Sequence, residues 1–295
     1  MHGKISLSRR VFVLFNTVFM VLMVLVCLIP FTHVLFASVS DPAFISQNRG
    51  LVLYPRGFNL VGYELVFKNP SVVTGYANTL FYTVGGTAFS LLLTAMGAYV
   101  LSRRNVLLNK FFMKMITVTM FFSGGLIPFF LVVDRLGLSN TRAAVIIPYA
   151  LSTWNMIIMM TSFREIPVSL EESAKIDGAN DFLVLFKIIL PLSMPVVAVM
   201  ILFYAIGYWN SWFPAVIFLR KRELFPLQLI LREVLIQSDL SKMMKVADLE
   251  KSNDAYYRML VKYTTIVIAT LPVVFVYPFL QRYFIKGVMI GSIKE

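Results

Sequence analysis

The sequence predicts an all-α membrane protein, six transmembrane helices with a short helical loop on the cytoplasmic side between the fourth and fifth. Two observations carry this. The 295-residue chain is 58% hydrophobic and only 14% charged, with a mean hydropathy of +0.78, whereas soluble domains run at about 45–50% apolar and about 25% charged. Its charges are gathered between apolar blocks: six windows of at least 19 residues, 11–40, 69–102, 115–133, 143–163, 188–219 and 263–281, contain no Lys, Arg, Asp or Glu. Too few polar side chains remain to coat a water-facing surface, whereas a lipid-facing one needs none.

Each window is long enough to cross, since about 20 residues at about 1.5 Å rise span about 30 Å of hydrocarbon. The first follows Lys4, Arg9 and Arg10 as a signal peptide would, but its apolar run exceeds the roughly 7–15 residues of a cleaved signal core. It is expected to remain, as a span over about 11–39. The others are expected over about 72–102, 112–133, 143–163, 192–219 and 263–282, in one membrane domain covering 1–295, with a cytoplasmic loop at 164–191 and an outer loop at 220–262. Pro30, Gly85, Gly86, Gly124, Gly125, Pro128, Pro148, Pro195, Gly207, Pro214, Pro272 and Pro278 fall inside these windows. They read as ordinary kinks and close helix packing, with a hinge at any one of them as the sharper alternative.

Six crossings put both termini on one side. Lys and Arg number 13 on the terminal side and 14 on the other. Nine of the 14 lie in the stretch 220–262, interleaved with six acids. Long loops carry little topological weight, and without this one the count is 13 against 5, placing both termini in the cytoplasm. The net charge of +12 is therefore read as topology rather than as affinity for nucleic acid. A single cysteine, Cys27, excludes an intrachain disulfide, and His2 and His33 alone cannot build a zinc site of the usual composition. His33, near the end of a window, reads as structural or interfacial.

None of the windows holds a carboxylate, Lys or Arg, although carriers driven by protons or sodium usually place ionisable groups within the membrane. Uphill transport would need energy from outside the bilayer. GxxxxGK[ST] is absent, and the Gly3-Lys4 pair is followed by Ile5, so a second protein must supply the ATP chemistry.

The strongest local signal is FREIPVSLEESAKIDGANDFLVLFKIILPLSMP. Pro167 suits a first helical turn, Val168 to Asp177 are good helix formers, and Gly178 suits a C-terminal stop. Asn180 or Asp181 can cap a second helix with Phe182, Phe186 and Ile189 along one side. Asp177 sits at a helix C-terminus, where the macrodipole disfavours an acid. Either a partner's cation meets it or the face is simply solvated.

This segment resembles the EAA loop of ATP-binding-cassette importer permeases. Glu172-Ser173-Ala174, Gly178, Ile188 and Leu190-Pro191 keep every spacing of that pattern, with Ser173 standing for the second Ala. The run from Glu165 to Ala179 is similar to the carbohydrate branch. YWNSWFPA, FPLQLILRE and the C-terminal QRYFIKGVMIGSIKE extend the resemblance over nearly the whole chain, to maltose-type second permease subunits and, within them, to the group serving lipoprotein and polysaccharide transport, alginate-like polysaccharides included. The resemblance implies a type I importer permease fold and a heterodimer with a homologous permease. It also implies two cytoplasmic ATPase subunits that bind Mg-ATP, with no cofactor in this chain, an extracytoplasmic solute-binding protein, and a bacterial cytoplasmic membrane location. It makes Glu172 the acid facing the ATPase, Ala174 a small contact position, Gly178 the turn after the coupling helix, and Asp177, Ile188, Leu190 and Pro191 further members of the coupling site. The C-terminal tail from Gly287 to Glu295 either touches the ATPase, as in the maltose-type subunit, or is a frayed end.

For a saccharide path the candidates are Trp154, Asn155, Tyr204, Tyr208, Trp209, Asn210 and Trp212. Aromatic rings offer apolar faces to sugar C–H groups, and Asn or Tyr offers hydrogen bonds. Interfacial belts and helix packing use the same residues. The outer loop could dock the binding protein or guide an anionic chain through Arg220, Lys221 and Arg222, or be solvated. Two other classes compete with the importer subunit. A stand-alone carrier or channel would transport by itself. A membrane enzyme acting on glycans would need a convergent acid–base set, which Glu171 and Glu172, adjacent on a helix and pointing in different directions, do not make.

Overall fold

The computed structural model describes residues 7–48, 50–103, 106–236 and 254–292. These are helical and, among the described residues, contain no strand. In chain order the helices are α1 (Leu7–Ser38), α2 (Pro42–Gln47), α3 (Val61–Lys68), α4 (Pro70–Ser102), α5 (Asn109–Phe121), α6 (Leu126–Arg135), α7 (Ala143–Ile146), α8 (Thr153–Arg164), α9 (Val168–Ile176), α10 (Asp181–Val184), α11 (Leu190–Leu192), α12 (Met194–Trp209), α13 (Trp212–Phe218), α14 (Leu227–Ile236) and α15 (Asp254–Ser292). Two compact units divide them, 1–69 with 234–270, and 70–233 with 271–295.

In the first unit α1 is apolar and exposed along most of its length, as a lipid-facing span must be. Its last turn is the anchored part. Ser38 Oγ meets Tyr63 Oη at 2.8 Å, and Asp41 caps α2 by accepting from the amides of Ala43 and Phe44. His33 accepts from the Val52 amide at 2.9 Å and meets Tyr263 edge-on, a structural role. Gly62 lies so close to α15 that a Cβ there would stand 2.5 Å from Thr264 Oγ1.

The second unit is built around α4. Its buried face is small and polar, with Asn78, Thr79, Gly86, Thr87, Ser90, Thr94, Ala95 and Ala98, so that neighbouring backbones approach closely. A Cβ on Gly86 would lie 2.7 Å from the Tyr208 ring of α12, and one on Gly97 2.8 Å from Met156 Sδ of α8. The stretch after α13 is fastened to the start of α4. Asn78 Nδ2 donates to the carbonyls of Glu223 and Phe225, Tyr82 Oη to that of Leu224, and Thr79 Oγ1 accepts from the Leu227 amide.

Three expected spans are not continuous helices. α5 and α6 meet at 117°, where Gly124 and Gly125 interrupt the 112–133 window; Gly125 adopts φ +83°, a conformation only glycine takes without strain. The fourth bends by 51° between Ala143–Tyr149 and Thr153–Arg164, at Ala150–Ser152. In the fifth, Asp181–Leu192 and Met194–Trp209 meet at 90° around Ser193, and a second break at Asn210 and Ser211 precedes α13. Proline, which lacks the amide hydrogen, flanks the Ser193 bend as Pro191 and Pro195. The outer-loop stretch Leu240 to Leu249 and residues 293–295 of the tail lie outside the described residues.

Candidate functional site

The cytoplasmic helix α9 owes its short length to its ends. Pro167 serves as N-cap rather than as a first helical residue. At the other end Gly178 has φ +87° and closes a Schellman motif: Ala179 N–H donates to Ala174 O at 2.9 Å and Gly178 N–H to Lys175 O at 3.1 Å. Ala174 and Ala179, the two residues joined by that motif, both pack on the core formed with α4, α8 and α12. Asn180 then caps α10 by accepting from the Leu183 amide at 2.8 Å. A π-helical turn, Leu185–Ile189, carries the chain to α11.

The named coupling residues fall into two groups. Glu172, Ser173, Asp177, Gly178 and Pro191 are exposed, while Ala174, Ile188 and Leu190 pack against the core. Around the exposed set lie Val168, Leu170, Ile176, Phe182 and Phe186, all exposed and apolar, with Ile176 at 86%.

Glu171 behaves oppositely to its neighbour. It is 6% exposed and meets three partners: Tyr99 Oη donates to Oε1 at 3.0 Å, Lys175 Nζ lies 3.0 Å from Oε1, and Arg103 Nη1 forms an ion pair with Oε2 at 3.0 Å. Lys175 also reaches Asp181 at 3.0 Å, and the Arg103 guanidinium stacks 4.8 Å over the Tyr99 ring. Its bonds to Glu171 first, and to Asp181, hold the Lys175 ammonium well above the ordinary lysine range. The Glu171/Lys175 spacing of four, with Arg103 as the first charge after the second window, is the signal that sequence reasoning passed over. This cluster borders a cleft of about 1080 Å³ that Glu172, Arg164 and Phe182 also line.

A second cleft, of about 360 Å³, opens between α8 and α12. Asn155, Tyr204, Tyr208 and Asn210 line it, together with Tyr149, Ser152, Phe203 and Phe213, which the sequence reading did not single out. Trp154 is exposed and lies outside this cleft; Trp209 is buried and meets Tyr76 edge-on at 6.1 Å; Trp212 lies 4.8 Å beneath Arg232. The tyrosine hydroxyls are already engaged. Tyr204 Oη pairs with Thr94 at 2.6 Å and accepts from the Ser152 amide, while Tyr208 Oη pairs with Ser90 at 2.9 Å and donates to Ile146 O at 3.3 Å. The two side chains therefore present rings more than donors to the cleft.

Residues 91–290 match the model of the binding-protein-dependent transport system inner membrane component family. That match covers both α9 with its glycine stop and the cleft. The chain belongs to this family. It is an ATP-binding-cassette importer permease, a non-catalytic membrane subunit whose ATP hydrolysis takes place in partner proteins. The permease is 39% identical to the polygalacturonan/rhamnogalacturonan transport system permease protein YtcP of Bacillus subtilis, over 98% of this chain and all of that protein. It is equally identical, at 39%, to protein LplC of the same organism, over 97% and 96% of the two chains. A chain in the crystal structure of a bacterial ABC transporter that imports the acidic polysaccharide alginate superposes with a TM-score of 0.86 at 34% identity, covering 96% of the permease and 99% of that chain. As a member of this family, the permease is a multi-pass inner-membrane protein of an importer with ATPase, binding-protein and second-permease partners.

Proposed function

We propose that this permease forms half of the translocation path for an acidic oligosaccharide or polysaccharide, as one member of a heterodimer with a homologous permease. Two ATPase subunits bind Mg-ATP and this chain holds no cofactor of its own. The observation that carries the reading is the exposed apolar and acidic surface of α9 and α10, with Glu172 at its centre, presented by a helix whose ends are fixed. Glu172, Ser173, Asp177, Gly178 and Pro191 face the ATPase, and Ala174, Ile188 and Leu190 set the seat of that surface. Both termini lie in the cytoplasm. Reversing an inward-to-outward ratio from 1:99 to 99:1 needs about 5.5 kcal/mol of differential binding, and one exposed ion pair gives about 0–1 kcal/mol. The whole docked surface carries the coupling.

Asn155, Tyr204, Tyr208 and Asn210 line the sugar path, with rings against C–H faces and amides hydrogen-bonding hydroxyls; Trp154 and Trp209 flank it. The acidic class is supported by the polygalacturonan/rhamnogalacturonan and alginate named for the relatives, and by Arg220 and Lys221 on the outer segment that α4 holds. The test is reconstitution with both ATPases, the second permease and the binding protein in vesicles. Uptake of galacturonate oligomers that requires ATP and exceeds uptake of a neutral oligosaccharide of equal length is the expected result. ATP-independent uptake by this chain alone would favour a stand-alone carrier or channel.

A further inference from the structure

We propose that Glu171 is a positioning residue for transport: it ties the coupling helix to the cytoplasmic end of α4, so that a displacement of α9 reaches the sugar cleft through α4. This rests on the reading above that α9 docks the ATPase.

Besides the apolar packing of Ala174 and Ala179 on the shared core, two routes lead from α9 to the cleft. Along the chain, the motion would pass the Gly178 turn, the π-helical turn and the 90° bend at Ser193 before entering α12. Each interrupts the regular hydrogen-bond ladder, and such a connection bends before it pushes. Sideways, α9 is bonded directly to α4. Tyr99, in the last turn of α4, and Arg103, the residue just after its end, both contact the Glu171 carboxylate, at 3.0 Å each. Lys175 bridges Glu171 and Asp181 at 3.0 Å to each, so α9, its turn and the start of α10 are held as one block. From there α4 runs back without internal proline to Thr94 and Ser90, the residues that bond Tyr204 and Tyr208 in the cleft wall. Twelve residues of helix, about 18 Å at about 1.5 Å per residue, separate the end of α4 at Ser102 from Ser90.

The cluster is also chemically suited to the task. An apolar contact slides, whereas parting the buried Glu171 carboxylate from the Arg103 guanidinium would leave a buried charge unpaired. Glu172, next in sequence and exposed, is left to the ATPase.

The test uses the reconstituted complex, with Glu171→Gln, Arg103→Gln, the double variant and Glu172→Gln. Four quantities are read: ATPase subunits retained on purification, basal hydrolysis, hydrolysis stimulated by loaded binding protein, and uptake per ATP. Glu171→Gln and Arg103→Gln should retain the ATPases and basal hydrolysis within about twofold, while uptake per ATP falls about tenfold, within the usual span of coupling between sites. The double variant should lose no more than the worse single one, since both remove the same link. Glu172→Gln should instead weaken ATPase retention. The proposal is overturned if uptake per ATP stays within about twofold of wild type, if the two single losses multiply, or if uptake falls only in step with assembled complex. Should the Gln variants fail to accumulate, Tyr99→Phe keeps the ring under Arg103 and removes one hydrogen bond; a loss in uptake per ATP supports the link and wild-type behaviour sinks it. If the wild-type chain neither retains ATPases nor supports uptake, the functional reading itself has failed.

Discussion

Gly178 is the residue on which the coupling loop turns. A Cβ there would meet nothing within 4 Å, so the position is glycine because of its φ of +87° and not because of crowding. Gly178→Ala should cost about 1–2 kcal/mol, the penalty of a left-handed conformation for an L side chain, and Gly178→Asn less. Thermal unfolding of the purified complex measures the difference. Gly178→Asp adds a charge to the docked surface and should uncouple hydrolysis from uptake while the chain still inserts.

Lys175 is a residue whose protonation reports on the same loop. Its folded-state pKa is raised by Glu171 and then Asp181, so the stability it adds is fully present below the unfolded value of about 10.4 and is lost as pH rises through the higher folded value. Lys175→Met should therefore lower the melting temperature by an amount constant from about pH 6 to about pH 9, shrinking only above about pH 10.4. A difference already changing near pH 7 would show another group to be responsible. Removing Glu171 itself should cost more, about 3–5 kcal/mol, since Arg103 would stay largely buried without its partner.

Among the elements, the seam of α4 with α12 positions the cleft. Tyr208 is seated by the absence of a side chain at Gly86 and by its bonds to Ser90 and Ile146 O. Gly86→Ala should destabilise by about 1–3 kcal/mol through overpacking, and Tyr208→Phe by about 1–2 kcal/mol through the buried hydroxyl partners left behind. If the ring faces sugar, Tyr208→Phe should retain most uptake per assembled complex, while Tyr208→Ala loses it. Equal loss of assembly and uptake in Tyr208→Ala would make the residue packing alone. The Gly124–Gly125 break at 117° between α5 and α6 is a further case where a pair of residues reshapes an element. Apolarity was legible over the whole window 115–133, but hydropathy does not register that Gly125 takes a conformation that ends a helix.

For the whole molecule, the permease by itself should show no concentrative uptake, because its membrane windows hold no carboxylate, Lys or Arg and no nucleotide motif. Vesicles containing this chain alone, loaded with ATP or given a proton gradient, provide the measurement; accumulation in either would contradict the importer reading.

Composition and spacing settled much at this scale. The apolar windows are set by the transfer of side chains into hydrocarbon, which each residue contributes nearly independently of its neighbours, so they can be counted along the chain. The coupling loop was legible for a related reason: Glu172, Ala174 and Gly178 belong to one helix and its stop, and local geometry fixes their relation. Glu171 shows where that legibility ends. Adjacent carboxylates in the sequence differ in that one meets Tyr99 and Arg103, some seventy residues away. The tyrosine hydroxyls were likewise free on paper and are occupied in the fold. The amino-acid sequence determined that this is a six-window membrane subunit with a short capped helix between its fourth and fifth windows, because hydrophobic transfer and helix capping act over short stretches of chain. Which acid is exposed, which is locked inward, and which aromatic residues line a cleft were decided by tertiary structure, because burial and pairing depend on segments that only folding brings together.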